Sequence, residues 1–167
     1  RPNMRFVQIK TEEQQAVLAL HTERGILIRE RIACSNSLRA TLAEFGITIA
    51  AGQSHLTHEL PAILEDDENG LSPFVRTSIY RQSKHIRELE EQVKQVEQAL
   101  ASWYRTQEAC QRMAKIPGVG MLTATYVIAA VGNARQFSTA KQFASWLGLT
   151  PKEHSSGGKQ QLGGISK

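Results

Sequence analysis

Between Val75 and Trp103 apolar residues recur at alternating spacings of four and three. The series is Val75, Ile79, Ile86, Leu89, Val93, Val96, Leu100 and Trp103, with Gln82 standing in the same phase. Such spacing lines one stripe of an α-helix, and a sustained heptad keeps that stripe turned toward a partner helix. Cys110 continues the phase after Gln107, so the pattern predicts one helix from about Pro73 to Ala114. Its other faces mix acids and bases, among them Arg87, Glu88, Glu91 and Lys94, as a solvated surface does. Two partners suit the seam: an earlier helix of the same chain, or the same helix of a second protomer. Pairing within the chain costs less entropy and is the expectation for the arm.

The earlier helix is read over Thr11–Phe45, a stretch with no Pro and one interior Gly, Gly25. Thr11 is placed as its cap, with Glu12 and Glu13 in the first turn where the helix dipole favours acids. Apolar residues return at Val17, Leu20, Leu27, Ile28, Cys34, Leu38, Leu42 and Phe45, with Arg24 and Arg31 interrupting the stripe. Gly46 ends it. One bent helix is expected in preference to two helices broken at Gly25. A short amphipathic piece follows near His55–Leu64, with Pro61 opening a new turn. Asp66 and Asp67 are the chain's two aspartates, but they sit in the acidic run Glu65–Glu68 before Asn69-Gly70. A solvated turn explains them better than a metal site, because nothing nearby has ligand spacing. At the start, Met4–Lys10 alternates like a strand or an extended lead-in.

The segment Lys115-Ile116-Pro117-Gly118-Val119-Gly120 stands between two helical patterns. Pro117 should stop the first, since it has no amide hydrogen and disfavours helical geometry before it. Gly118 and Gly120 permit a tight reversal, and the next helix starts near Met121. Its first amides have no intrahelical acceptor and can point at a phosphate oxygen. This is the helix-hairpin-helix way of holding a nucleic-acid backbone, and it reads no bases. The plainer alternative is a helical turn that needed two glycines for its own geometry.

Composition permits this direction without requiring it. Twenty Lys and Arg face sixteen Asp and Glu, for a net charge of +4 over 167 residues. That is compatible with a polyanionic partner. Cys34 and Cys110 lie inside helical patterns and read as reduced core thiols of a cytoplasmic protein, not as a disulfide. No apolar run reaches membrane-spanning length and no signal peptide is visible. The ends, RPNMRF and GGISK, suit a piece of a longer chain.

After the hairpin, Leu122, Val127, Ile128 and Val131 form an apolar face with Ala124, Ala129 and Ala130. Gly132-Asn133 closes that helix. Ser138 is placed as the cap of a further helix whose inner face buries Phe143, Trp146 and Leu147. Lys141 lies near its start, on the outside. The polar stretch Thr150-Pro151-Lys152-Glu153-His154-Ser155-Ser156-Gly157-Gly158-Lys159 follows. Its amides and Lys159 suit a phosphate. A serine here needs a base or a metal before it can attack phosphorus, and His154 is near it only in sequence. From spacing alone a flexible polar loop is the leading reading. GGKQQL is not a phosphate-loop motif.

Residues 116–132, IPGVGMLTATYVIAAVG, followed by FSTAKQFASWLGLTPKEHSSGGKQQLGGISK, resemble the C-terminal region of DEDD-type insertion-sequence transposases. These are DNA recombinases, some guided by a bridge RNA. Residues 5–47 resemble their helical middle region, and the likeness is most specific over residues 113–167. The resemblance implies a parent protein that begins with an RNase-H-like domain carrying four acidic ligands for a divalent metal such as Mg2+. It also implies a serine nucleophile directly before a glycine. Here that maps to Ser156, with Ser155 as the fallback. Asp66 and Asp67 do not match the acidic tetrad, which would precede residue 1, so no metal site or cofactor is expected within this chain.

Together these readings predict an all-α chain. A coiled-coil arm over residues 1–104 leads to a helix-hairpin-helix head over residues 105–167, with residues 150–167 irregular. DNA is the expected partner. A guide RNA and a homodimer or higher homo-oligomer are expected for the parent, and a membrane is not. Backbone contact is expected from Gly118, Val119 and Gly120. Lys115, Lys141, Lys152, Gly157, Gly158 and Lys159 assist it. Ser156 (or Ser155) is the candidate nucleophile, and His154 a lesser candidate for proton transfer.

Overall fold

The computed structural model describes residues 9–154, 158–159 and 162–165. Among these the chain is mostly helical, with α1 at Glu12–Glu44, α2 at Gln53–Glu65, α3 at Pro73–Thr106, α4 at Glu108–Met113, α5 at Met121–Val131 and α6 at Ala140–Trp146. A short antiparallel pair, β1 at Pro151–Glu153 and β2 at Leu162–Ile165, follows. The chain divides into two compact units, Lys10–Ala130 and a smaller one built on Val131–Lys167.

In the larger unit α1 starts with a full capping box. The Gln14 amide donates to Thr11 Oγ1 at 3.2 Å, and the Thr11 amide donates to Gln14 Oε1 at 3.0 Å. Two otherwise orphaned amides are satisfied this way. The helix passes through Gly25 without a break. It pairs with α3 in the opposite sense, as the cross-links show. Trp103 Nε1 donates to Glu13 at 2.7 Å, Arg24 pairs with Glu97 at 2.7 Å, and His85 meets Glu30 at 3.2 Å. Thus Arg24, which interrupts the α1 stripe in sequence, reaches across to the acid on α3. Such half-exposed pairs add little net stability, about 0–1 kcal/mol, and serve mainly to fix register.

The seam residues Ile79, Ile86, Leu89, Val93, Val96 and Leu100 are all buried. They contribute to two cores. One joins Val17 and Leu27 to Leu89, Val93, Val96, Leu100 and Ala129 of α5. The other joins Leu38 and Leu42 to Leu56 and Leu60 of α2, with Leu71, Ile79 and Ile86. So α2 closes one end of the α1–α3 pair and α5 closes the other.

Several expectations are corrected. The helix predicted through Ala114 ends at Thr106. Gln107 is extended (φ −107°, ψ 99°), and α4 restarts after it. The apolar phase carries over this break, because Cys110 is fully buried. Pro61 begins no new turn and sits inside α2, where it removes one amide donor. The cap of α6 is Thr139, not Ser138. The Gln142 amide donates to Thr139 Oγ1, while Ser138 donates its amide and hydroxyl to the Gln142 side chain. The chain is not all-α, since residues 151–153 and 162–165 pair as strands where irregular chain was expected. The strand-like Met4–Lys10 lies largely outside the described residues, as do Ser155, Ser156 and Gly157.

The acidic run is held by Arg76. Its guanidinium donates to the carbonyls of Ile63, Leu64 and Asp66, to the Asn69 side chain at 2.7 Å and, through Nε, to the Leu71 carbonyl. Asp66 Oδ1 accepts the Glu68 amide at 2.9 Å. This is a stapled turn, as its composition suggested.

Candidate nucleic-acid interface

After α4 the backbone turns twice. The Ala114, Lys115 and Ile116 amides donate back to Cys110, Arg112 and Met113. The Val119 amide then donates to the Ile116 carbonyl at 3.0 Å, closing a turn with Pro117 and Gly118 at its centre. Gly118 has φ +84°. Pro followed by a left-handed Gly is the combination a type II turn requires. Gly120 then opens α5, its carbonyl accepting the Ala124 amide at 2.9 Å.

Gly120 differs from Gly118. Its φ is not positive, and a Cβ built on it would meet nothing within 4 Å. Neither conformation nor packing within the described residues demands glycine there. The residue is exposed, as are Lys115, Ile116, Pro117 and Gly118. Among the described residues, no hydrogen bond takes up the amides of Gly120, Met121, Leu122 or Thr123.

The helix behind this turn is held by a buried polar contact. Thr125 is fully buried one turn into α5. Its hydroxyl lies 2.9 Å from the Met121 carbonyl and 3.0 Å from that of Leu122. His21 Nε2 of α1 lies 3.0 Å from the same oxygen, and the His21 ring meets Tyr126 edge-on at 5.4 Å. The hydroxyl has one hydrogen. Given to a carbonyl, it leaves Oγ1 to accept from His21 Nε2–H. Burial, reinforced by the Arg24 charge, lowers the His21 pKa below its ordinary 6.5. Folding then disfavours the imidazolium, so the unfolded chain binds more protons below pH 6.5 and stability falls as pH drops through that range. We expect the melting temperature of the wild type to drop from pH 7 to pH 5 more than that of His21→Gln. Parallel melting curves for the two would contradict this.

Burial raises the Cys110 pKa; its thiol points at the Ala124 carbonyl, 3.9 Å away. Both cysteines are free. A groove of about 360 Å³ between α2 and α3, lined by Leu56, Leu60, Pro61, Tyr80 and Ile86 among others, lies at the end of the α1–α3 pair away from the turn. Among the described residues no group of three or more His, Cys, Asp or Glu is placed to hold a metal. No described helix is long and apolar enough to cross a membrane.

The candidate residues fall into two sets. Lys115, Gly118, Val119 and Gly120 belong to the larger unit. Lys141, Lys152, His154, Gly158 and Lys159 belong to the smaller one, where all but Gly158 present charged or polar side chains to solvent. Ser155, Ser156 and Gly157 lie outside the described residues, so no geometry assigns a nucleophile.

Known proteins resemble this chain along its whole length. Residues 110–167 match the model of the Transposase IS116/IS110/IS902 family. The whole chain is also 41% identical over 167 residues to the transposase for insertion sequence element IS1111A of Coxiella burnetii, covering 46% of that protein. The chain is thus similar to transposases of the IS116/IS110/IS902 family. A second relative, a probable family 20 transposase of Pseudomonas aeruginosa, is 38% identical over 168 residues, all of this chain and 50% of the relative. A shorter likeness, 42% over 45 residues, links 27% of the chain to a pilin gene-inverting protein of Moraxella bovis. The chain therefore spans about half the length of the curated transposases it matches in full. No solved structure matches it.

Proposed function

We propose that this chain is the DNA-contacting and assembly portion of a transposase, gripping a duplex backbone through a helix-hairpin-helix formed by α4, the Ile116–Gly120 turn and α5. The observation that carries the reading is Gly120. It is exposed, free of any steric need for glycine, and adjacent to the unpaired amides that open α5. A missing side chain at such a place lets a phosphate oxygen approach the backbone closely. Lys115 adds charge beside it, and Lys141, Lys152, Gly158 and Lys159 are assigned supporting backbone contacts from the smaller unit. The coiled-coil arm of residues 1–104 would assemble the parent into a homodimer or larger complex, and residues 105–167 would meet the DNA. A guide RNA stays an expected partner of the parent.

Catalysis, on this reading, belongs to the whole protein. Ser156, or Ser155 in the neighbouring register, would attack a strand phosphate through Oγ. A serine–phosphate bond forms, the bond to the 3′-oxygen breaks, and the leaving oxygen takes up a proton. His154, exposed beside the segment, is the candidate for moving that proton. The family resemblance supports this assignment; among the described residues no group of three or more His, Cys, Asp or Glu is placed to hold a metal through which to route a step. With the upstream domain restored, Ser156→Ala should abolish protein-linked DNA on a denaturing gel. Loss only in Ser155→Ala would move the nucleophile, and adduct in both variants would remove it from this segment.

Binding by this chain is tested by fluorescence anisotropy with duplex, junction and RNA probes across a salt series. A purely phosphate-directed grip predicts weakening with rising salt and little dependence on sequence. Salt-sensitive binding together with full adduct formation in both serine variants would leave a non-catalytic nucleic-acid-binding module. Absence of salt-sensitive binding to any probe would instead favour a coiled-coil interaction protein with purely structural glycines.

A further inference from the structure

The smaller unit carries an aromatic cluster that the backbone grip does not use. Phe137 meets Phe143 at 5.3 Å and Trp146 at 5.7 Å between ring centroids, both tilted. Phe143 and Trp146 lie nearly parallel, 12° apart at 6.3 Å. The three rings brace one another, yet Trp146, the largest, remains 46% exposed. Its indole N–H has no described acceptor. The Thr139 cap and the Ser138–Gln142 contacts fix the start of the same helix. A ring so supported loses little freedom when something stacks on its open side.

Charge says what that something is. Beyond Ala130 the sequence holds five cations (Arg135, Lys141, Lys152, Lys159 and Lys167) against one acid, Glu153; the remainder of the chain is balanced, so the whole net charge of +4 lies here. Arg135, Lys141, Lys152 and Lys159 are all exposed. An apolar protein face would use the ring and gain nothing from the cations. A duplex would use the cations, but its bases are stacked inward and offer no face to an indole. A single strand uses both, since its phosphates meet the cations and an unpaired base stacks on the ring.

We propose that Trp146, braced by Phe143 and Phe137, is a stacking platform for an unpaired base of single-stranded DNA. The platform is separate from the α4–α5 turn, and its evidence does not depend on that turn binding anything.

The test uses the full chain and an unstructured deoxyoligonucleotide. Trp103→Phe leaves Trp146 as the one indole of the two in the chain. Its fluorescence should be quenched as the oligonucleotide binds. Trp146→Ala should weaken single-strand binding by about 5- to 150-fold, the range for losing one aromatic–base stack. Trp146→Phe should keep most of the affinity, and a blunt duplex should bind both variants as it binds the wild type. Four outcomes overturn the proposal: no quenching on binding, unchanged single-strand affinity in Trp146→Ala, tighter binding of an RNA of the same sequence, or Trp146-dependent binding to anionic vesicles in place of the oligonucleotide. If Trp146→Ala loses helix content, quenching in the Trp103→Phe background decides alone. Loss of duplex binding with single-strand stacking intact would count against the hairpin grip and leave the platform standing.

Discussion

Replacing Leu89 and Val93 together by Asp is expected to unfold the Lys10–Ala130 unit. Both residues are almost completely buried in the core that joins α1, α3 and α5. No cation in that core is placed to pair with a new carboxylate. An unpaired buried charge costs several kcal/mol, and a domain of this kind is held by only about 5–15 kcal/mol. Two such charges one turn apart exceed what the fold can absorb. Circular dichroism should show most of the helix signal lost at room temperature. The gentler Leu100→Ala, at a fully buried position, should stay folded and lose about 2–5 kcal/mol in denaturant unfolding. Full helix content in the double variant would mean that the seam is covered by something other than α1 and α5.

Gly120→Glu is expected to have the largest effect on duplex binding for the least effect on folding. A Cβ at Gly120 meets nothing within 4 Å, so the substitution should leave the melting temperature almost unchanged. It would set a carboxylate beside amides assigned to a phosphate. Loss of hydrogen bonds to a charged group is worth about 1.5–3 kcal/mol, which corresponds to roughly 10- to 150-fold in affinity. Gly118→Ala should behave in the opposite way. Its φ of +84° strains any other residue, so it should lower stability and affect binding only through the shape of the turn. A Gly120→Glu protein that binds duplex normally would remove the hairpin from the interface.

The long helices and their pairing were legible because periodicity repeats one statement many times. From Ile79 to Leu100 each apolar position argues for the same face, and one exception such as Gln82 does not erase it. Thr11 was legible for a local reason, since a capping box is written within four residues. The break at Gln107 was hidden because Cys110 keeps the apolar phase across a change in backbone that leaves no Pro or Gly behind. The β1–β2 pair was hidden because Leu162-Gly163-Gly164-Ile165 lacks the alternation of a strand and holds two glycines against one β-branched residue, Ile165. Its partner, Pro151–Glu153, is short and polar, so the pairing rests on backbone hydrogen bonds that the sequence does not display. Trp146 reads as core from helical spacing; its half-exposure follows from how few residues the small unit has to cover three rings. Within the hairpin, the sequence marked both glycines alike. Only backbone angles separate Gly118, needed for the turn, from Gly120, which the chain itself does not need.

The proposed contact between these amides and DNA phosphate can be tested directly. In a 15N-labelled sample of this 18.5 kDa chain, titration with a blunt duplex at low salt should move the backbone amide resonances of Gly120, Met121, Leu122 and Thr123 among the most strongly in the Lys10–Ala130 unit, and added salt should reverse the shifts. Saturable duplex binding with those four resonances unmoved would contradict a backbone grip at the start of α5.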